Sequence, residues 1–219
     1  QKAGMSEEIL INVTPRETRV ALVENGVLQE IFIERARRRG LVGNIYLGRV
    51  CRVLPGMQAA FVDIGLERAA FLHASDIVTR LPGNGDADAG SSGVEDISSL
   101  LREGQEITVQ VIKDPLGTKG ARLTTQVTIP SRFLVFIPRV SNVGISQKIE
   151  DEAERIRLRD LIQLFMSEDE SGGYIARTAA EGASAEALRA DMIFLRKLWT
   201  SITAREAHAK PGSAVYEDQ

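Results

Sequence analysis

The sequence predicts an α+β fold in which a small five-stranded β-barrel lies between an N-terminal β-meander and a smaller α/β region with two helices. Three observations predict it. Short apolar/polar alternations recur from Ile45 to Ile129 with turn residues between them, and an Asn25-Gly26 pair joins two earlier alternations. Past Pro130 the apolar period changes twice to that of a helix.

The first 30 or so residues after Glu8 read as an antiparallel meander, EILINVTPRETRVALVENGVLQEIFIER. Gln1 to Gly4, ahead of Met5, are read as appended residues outside the fold. The barrel strands are expected at Ile45–Leu54, Gln58–Ile64, Arg68–Leu72, Glu106–Lys113 and Ala121–Ile129. RLPGNGDADAGSSGVED, rich in Gly, Asp and Ser, is expected to be a loop leading into a short helix around Val94 to Arg102. FLVFIP, GISQKI and GYIART are three further strands. Between the last two, Asp151 to Met166 places Leu158, Leu161, Ile162 and Phe165 at helical spacing. A second helix starts at the N-cap Ser184 and carries Leu188, Met192, Leu195, Trp199 and Ile202, which makes Trp199 a core residue rather than a stacking platform. The tail after Ala209-Lys-Pro-Gly-Ser reads as a linker with no closing element.

Composition excludes several classes. One cysteine, Cys51, and two histidines, His73 and His208, supply neither a disulfide framework nor a Cys/His zinc site. No apolar run approaches the roughly 18 to 20 residues of a membrane span, and no signal-peptide layout is present, so a cytoplasmic location is expected. The net charge of −3 conceals segregation. Arg35 to Val62 holds six arginines (35, 37, 38, 39, 49 and 52) and no acid; Leu116 to Ile149 holds five basic residues (Lys119, Arg122, Arg132, Arg139, Lys148) and no acid. Glu150 to Gly172 carries eight acids against three arginines. The pattern fits a nucleic-acid-facing side with a solvated back, and equally a set of soluble faces.

AAFVDIGLERAAFLH contains Ala-Ala-Phe twice, and strand parity separates its faces. Ala60, Val62 and Ile64 share one face, leaving Phe61 with Asp63 on the other; Ala70 and Leu72 share a face, leaving Phe71 with His73. Two readings stand: a curved strand with core on both sides, or an aromatic pair on the open face of the barrel. Parity favours the second, and such a pair on an OB barrel is how single-stranded nucleic acid is stacked. Lys113 ends one strand, and DPLGTKGARLTT presents Lys119 and Arg122 from a loop through Gly117 and Gly120, a set of cations suited to phosphates.

NIYLGRVCRVLPGMQAAFVDIGLERAAFLHASDI, VIKDPLGTKGARLTT and YIARTAAEG closely resemble the ribonuclease E and G family, and the resemblance runs from about Glu8 to Trp199. It implies an endoribonuclease of RNA decay and ribosomal RNA processing that cuts single-stranded, often AU-rich RNA. It also implies an OB domain of the ribosomal-protein-S-one type and a 5′-sensor domain, both inserted into an RNase H-like domain. Residues 5–39 would then begin the RNase H-like domain, 40–125 form the OB domain, and 126–219 the 5′-sensor and the start of a linker. The family's stacking phenylalanines match Phe61 and Phe71, and its basic loop contact matches Lys119. Its Arg-Thr pair for a 5′-monophosphate matches Arg177 and Thr178, with a further contact around Val135. A guanidinium offers two parallel donors and a hydroxyl a third, which suits a phosphate. Read without the family, Arg177 is an ordinary ion-pair partner of the acidic helix. Two features depart from the ribonuclease E branch: Ser131 stands in place of a glycine, and Gln147-Lys148 in place of two arginines.

Metal-assisted hydrolysis needs clustered carboxylates. Asp63, Asp76 and Asp114 are scattered, so the resemblance puts the catalytic aspartates and their Mg²⁺ after residue 219 and leaves recognition to this chain. The resemblance further implies that the full-length enzyme is a homo-oligomer. The alternative is a non-catalytic OB-fold RNA-binding or ribosome-associated protein.

Overall fold

The computed structural model describes residues 7–14, 17–35, 40–78, 96–166 and 171–218. They fall into two compact units, residues 1–40 and 41–219.

The first unit is a three-stranded antiparallel sheet of β1 (Glu7–Val13), β2 (Glu17–Glu24) and β3 (Val27–Arg35), in that order. Asn25 and Gly26 both take positive φ, 50° and 77°, the backbone a two-residue hairpin turn requires.

The second unit opens with the barrel: β4 (Ile45–Leu54), β5 (Ala59–Asp63), β6 (Ala70–His73), β7 (Glu106–Lys113) and β8 (Arg122–Thr124). The order β4-β5-β6-β8-β7 closes on itself because the first half of β4 also pairs with β7. Five strands so connected form the closed OB barrel expected from the alternating pattern. Its interior is Val50, Ala60, Val62, Ala70, Leu72, Val109, Val111 and Leu123, all buried. Helix α1 (Ile97–Leu100), capped by Asp96, packs Ile97 against that core. The expected helix reached from Val94 to Arg102; its first two residues, and most of the Gly/Asp/Ser loop before it, lie outside the described residues.

The fifth expected strand, Ala121–Ile129, is divided. β8 stops at Thr124, and Ile129–Pro130 forms β9 in a second sheet. The Thr124 hydroxyl accepts from the Gln126 amide and the Asp76 carbonyl accepts from the Thr125 amide, which turns the chain out of the barrel. The second sheet runs β11 (Val143–Ile145), β12 (Gly173–Ala176), β10 (Leu134–Ile137), β9, with only β11 and β12 parallel. Helices α2 (Glu152–Phe165) and α3 (Ala185–Glu206) begin at the N-caps Asp151 and Ser184. Their apolar stripes, Leu158 and Ile162, then Leu188, Met192, Leu195 and Ile202, bury against Leu134, Phe136, Tyr174 and Ala176. Trp199 is partly buried on this core, its ring 6.3 Å from that of Phe136.

The tail corrects the sequence reading. Residues 213–216 are no linker but a strand, β13 (Ser213–Tyr216), antiparallel to the first half of β4. Gly212, at φ 84°, turns the chain into it, and the carbonyl of Gly212 sits so close to Gly65 that a Cβ there would lie 1.9 Å away. Val215 is buried, and the Asp218 amide donates to the Asn44 side chain at 2.8 Å. A four-residue strand beside Pro-Gly is too short for alternation to reveal. No helix among the described residues is long and apolar enough to cross a membrane.

Candidate nucleic-acid interface

On the outer face of the barrel, strand pairing sets five side chains in one row. Arg52 of β4 lies opposite Phe61 of β5, Phe61 opposite Phe71 of β6, Phe71 opposite Arg122 of β8, and Arg122 opposite Lys113 of β7. At about 4.8 Å per strand the row spans roughly 19 Å. Phe61 and Phe71 are half-buried, whereas Ala60, Val62, Ala70 and Leu72 between them on the other face are fully buried. The rings meet edge to face, centroids 6.2 Å apart at 67°, and the His73 ring lies 6.4 Å beyond Phe71.

Two bulges put cations at the ends of this row. The register shifts between Val50 and Arg52 on β4 and between Val111 and Lys113 on β7. Without the first, Cys51 would face Phe61 and Arg52 would follow Val50 inward; without the second, Ile112 would stand beside Arg122. Arg52 and Lys113 are exposed and have no ion-pair partner among the described residues. Arg122 differs: its Nε and Nη2 donate to Asp76 Oδ2 at 3.0 and 2.9 Å. Sequence parity missed Arg52, whose only signal was its place in the first basic block.

Lys119 stands exposed on a tight turn in which the Leu116 and Lys119 amides and carbonyls bond reciprocally at 3.1 and 3.0 Å. Gly117 takes φ 57° there, and the Arg68 guanidinium donates to its carbonyl. Gly120 lets the loop settle on β6, because a Cβ at that position would lie 2.1 Å from the Ala69 carbonyl oxygen.

The four residues expected at a 5′-phosphate gather at the C-terminal end of β12. Arg177 and Thr178 are exposed as the strand passes into a 3₁₀ turn, Thr178–Ala180. The Arg177 amide donates to the Phe133 carbonyl at 2.8 Å, and its guanidinium donates to the Ser131 carbonyl, not to the acidic helix. Val135 pairs with Ile175, two residues before Arg177 and so on the same face of the sheet. The turn carrying Gln147 and Lys148 is tied to the same place, since the Ser146 amide donates to the Ala176 carbonyl at 2.9 Å. Beneath the turn, Glu154 accepts from Arg157 at 2.7 and 2.6 Å and from the Gly182 amide at 2.8 Å. Arg157 chiefly, opposed by desolvation and aided by Gly182, lowers the Glu154 carboxyl to about 2.

Among the described residues no group of three or more His, Cys, Asp or Glu side chains could hold a metal ion.

Comparison with known proteins bears on both surfaces. Residues 41–126 match the S1 RNA binding domain and residues 128–219 match the Ribonuclease E/G family. The chain is 58% identical over 209 residues to a ribonuclease G of Haemophilus influenzae, covering 95% of this chain and 42% of that protein. It is 55% identical over 212 residues to ribonuclease G of Escherichia coli K12, covering 97% and 43%. To ribonuclease E of the same strain it is 38% identical over 208 residues, covering 94% and 19%. The chain thus spans less than half the length of these relatives.

Proposed function

We propose that the chain, which matches the Ribonuclease E/G family over residues 128–219 and the S1 RNA binding domain over residues 41–126, is the recognition part of a single-strand-specific endoribonuclease of RNA decay and ribosomal RNA processing. The barrel stacks bases on Phe61 and Phe71 while Arg52, Lys113 and Lys119 meet phosphates. Arg177 and Thr178, backed by Ser131 and Val135, hold a 5′-monophosphate. Cleavage belongs to a Mg²⁺ site formed by residues outside this chain, in a cytoplasmic enzyme that works as a homo-oligomer.

The observation that carries this reading is the row Arg52, Phe61, Phe71, Arg122, Lys113 on the face opposite the barrel core. Paired rings flanked by cations suit a strand whose bases turn inward and whose phosphates run along the rim. At the second surface, one guanidinium donor is given to the Ser131 carbonyl, which fixes the plane of the group. The donors left over suit two oxygens of a terminal phosphate.

The test compares fluorescent oligonucleotides bearing a 5′-monophosphate or a 5′-hydroxyl, with the wild-type chain and Arg177→Ala. Preference for the monophosphate in the wild type, lost in the variant, supports the sensor; equal affinity in all four combinations removes it. Robust Mg²⁺-dependent cleavage by the chain, abolished by a substitution within it, would refute the division between recognition and cutting.

A further inference from the structure

The turn that presents the Ser131 carbonyl to Arg177 is anchored to α3 by Asp191. Asp191 Oδ2 accepts from the Ser131 hydroxyl at 2.5 Å, the Phe133 amide at 3.0 Å and the Leu134 amide at 3.1 Å. The Ser131 hydroxyl also lies 3.0 Å from the Leu134 carbonyl, but a hydroxyl has one hydrogen, and the shorter, charge-assisted contact to the carboxylate takes it. The Leu134 carbonyl is meanwhile satisfied by the Ser131 amide at 2.8 Å. One carboxylate oxygen therefore fixes the turn at residues 131, 133 and 134. Asp191 is on the core-facing side of α3, three residues after Leu188 and next to Met192, where an acid is otherwise unexpected.

We infer that Asp191 is a positioning residue for the 5′-phosphate site, acting through the Ser131 carbonyl on the plane of the Arg177 guanidinium. The inference rests on the 5′-phosphate reading above. The linkage runs from Asp191 to the 131–134 turn, from its first carbonyl to the guanidinium, and from the guanidinium to the ligand. Because all three donors converge on one oxygen, the role needs an acceptor at that point, not a negative charge. An amide oxygen in the same place would serve, whereas a carboxylate moved outward by one methylene would not. Loss of the acceptor turns the Ser131 hydroxyl to the Leu134 carbonyl but leaves two main-chain amides without their partner, and the turn shifts to satisfy them. The Ser131 carbonyl shifts with it, and Arg177 is no longer held for two-point contact with a phosphate.

The experiment measures the ratio of affinities for 5′-monophosphate and 5′-hydroxyl oligonucleotides in the wild-type chain, Arg177→Ala, Asp191→Ala, Asp191→Asn and Asp191→Glu, with the melting temperature of each. The expected result is a wild-type preference that Arg177→Ala abolishes and Asp191→Ala reduces by about tenfold, the scale of one lost charge-assisted bond. Asp191→Asn should keep the wild-type ratio within about threefold, since the acceptor is retained, and Asp191→Glu should fall with Asp191→Ala. Affinity for the 5′-hydroxyl oligonucleotide should stay constant throughout, which a merely structural role would not produce. A wild-type ratio in Asp191→Ala, or equal losses on both oligonucleotides, overturns the inference. Should Asp191→Ala not fold, the Asn/Glu contrast decides: a wild-type ratio in Glu, or a lost one in Asn, overturns it. A wild type with no preference overturns the sensor reading itself, an outcome distinct from the others.

Discussion

Replacing Phe61 by Ala separates a stacking platform from a core residue. The Phe61 ring is half-buried, and its edge-to-face contact with Phe71, at 6.2 Å between centroids, is the packing it would lose. Such a pair is worth about 0.5–1.5 kcal/mol, and the buried part of the ring adds about 1 kcal/mol or less. For a unit of this size that lowers the melting temperature by about 1–10 °C. Phe136 is the internal standard, 3% exposed and packed among Tyr174 and Trp199. Phe136→Ala should cost about 3–5 kcal/mol, or on the order of 10 °C or more. RNA binding should respond in the opposite order. A stacked base contributes about 1–3 kcal/mol, so Phe61→Ala should weaken the Kd for a 5′-hydroxyl oligonucleotide by about 5- to 150-fold. The 5′-hydroxyl end keeps the second surface out of the measurement. Fluorescence anisotropy and differential scanning calorimetry on the same samples supply both numbers. If Phe61→Ala melts as low as Phe136→Ala and binds RNA within twofold of wild type, the open-face assignment is wrong.

Salt dependence distinguishes the cations of the row. Arg52→Ala should reduce the slope of log Kd against log salt by about 0.7, one single-strand phosphate, while Arg122→Ala should leave the slope unchanged and lower stability by depriving Asp76 of its partner; equal slopes in the two variants would refute the distinction. Gly120→Ala forces a Cβ to within 2.1 Å of the Ala69 carbonyl, so the loop must move; RNA affinity should fall by about as much as in Lys119→Ala, whereas Gly56→Ala, which meets nothing within 4 Å, should bind and melt as wild type. Glu154 gives a pH dependence: its folded value, about 2, lies below the unfolded value near 4.5, so its stabilisation is complete above about pH 4.5 and is lost as pH falls toward 2. With Arg157 still 38% exposed, solvent screening leaves about 1 kcal/mol of this, and Glu154→Gln should melt lower than wild type at pH 7 but level with it near pH 2. Melting curves of the two proteins from pH 7 to pH 2 check the convergence.

The sequence made the barrel legible where side chains alternate without interruption. Ile45–Leu54 and Glu106–Lys113 are strands with the bounds that alternation predicts, and Asp151 and Ser184 cap their helices as their chemistry requires. Parity also separated Phe61 and Phe71 from Ala60, Val62, Ala70 and Leu72. It failed wherever a bulge resets the count, since a bulge depends on the partner strand and leaves no mark in its own. Arg52 was invisible for that reason, and so was the pairing of Arg122 with an Asp76 that arrives from 46 residues away. Asp191 was hidden differently, because one acid within a helical stripe reads as noise until the turn it holds is seen above it.

The features missed in the sequence are also those that join the two surfaces. β13 returns from the end of α3 to pair with β4, and the Gly212 carbonyl packs on Gly65. The Gln110 side chain, buried under the barrel wall, accepts from the Thr128 amide at 2.8 Å and donates to the Thr128 carbonyl at 2.8 Å, fixing the chain where it leaves β8 for β9. The Thr108 hydroxyl donates to Glu206 near the end of α3. Barrel and second sheet are thereby one compact unit, with the aromatic row on one part and Arg177 on the other. On the proposed reading this makes the second contact of any bound strand intramolecular. A strand held at its 5′ end meets the rings at an effective concentration set by the nucleotides between the surfaces, and affinity rises without a new contact. It also gives Arg177 a consequence beyond its own hydrogen bonds: a strand without a terminal phosphate must find the rings from bulk solution, so discrimination at the end of the RNA becomes occupancy along its length.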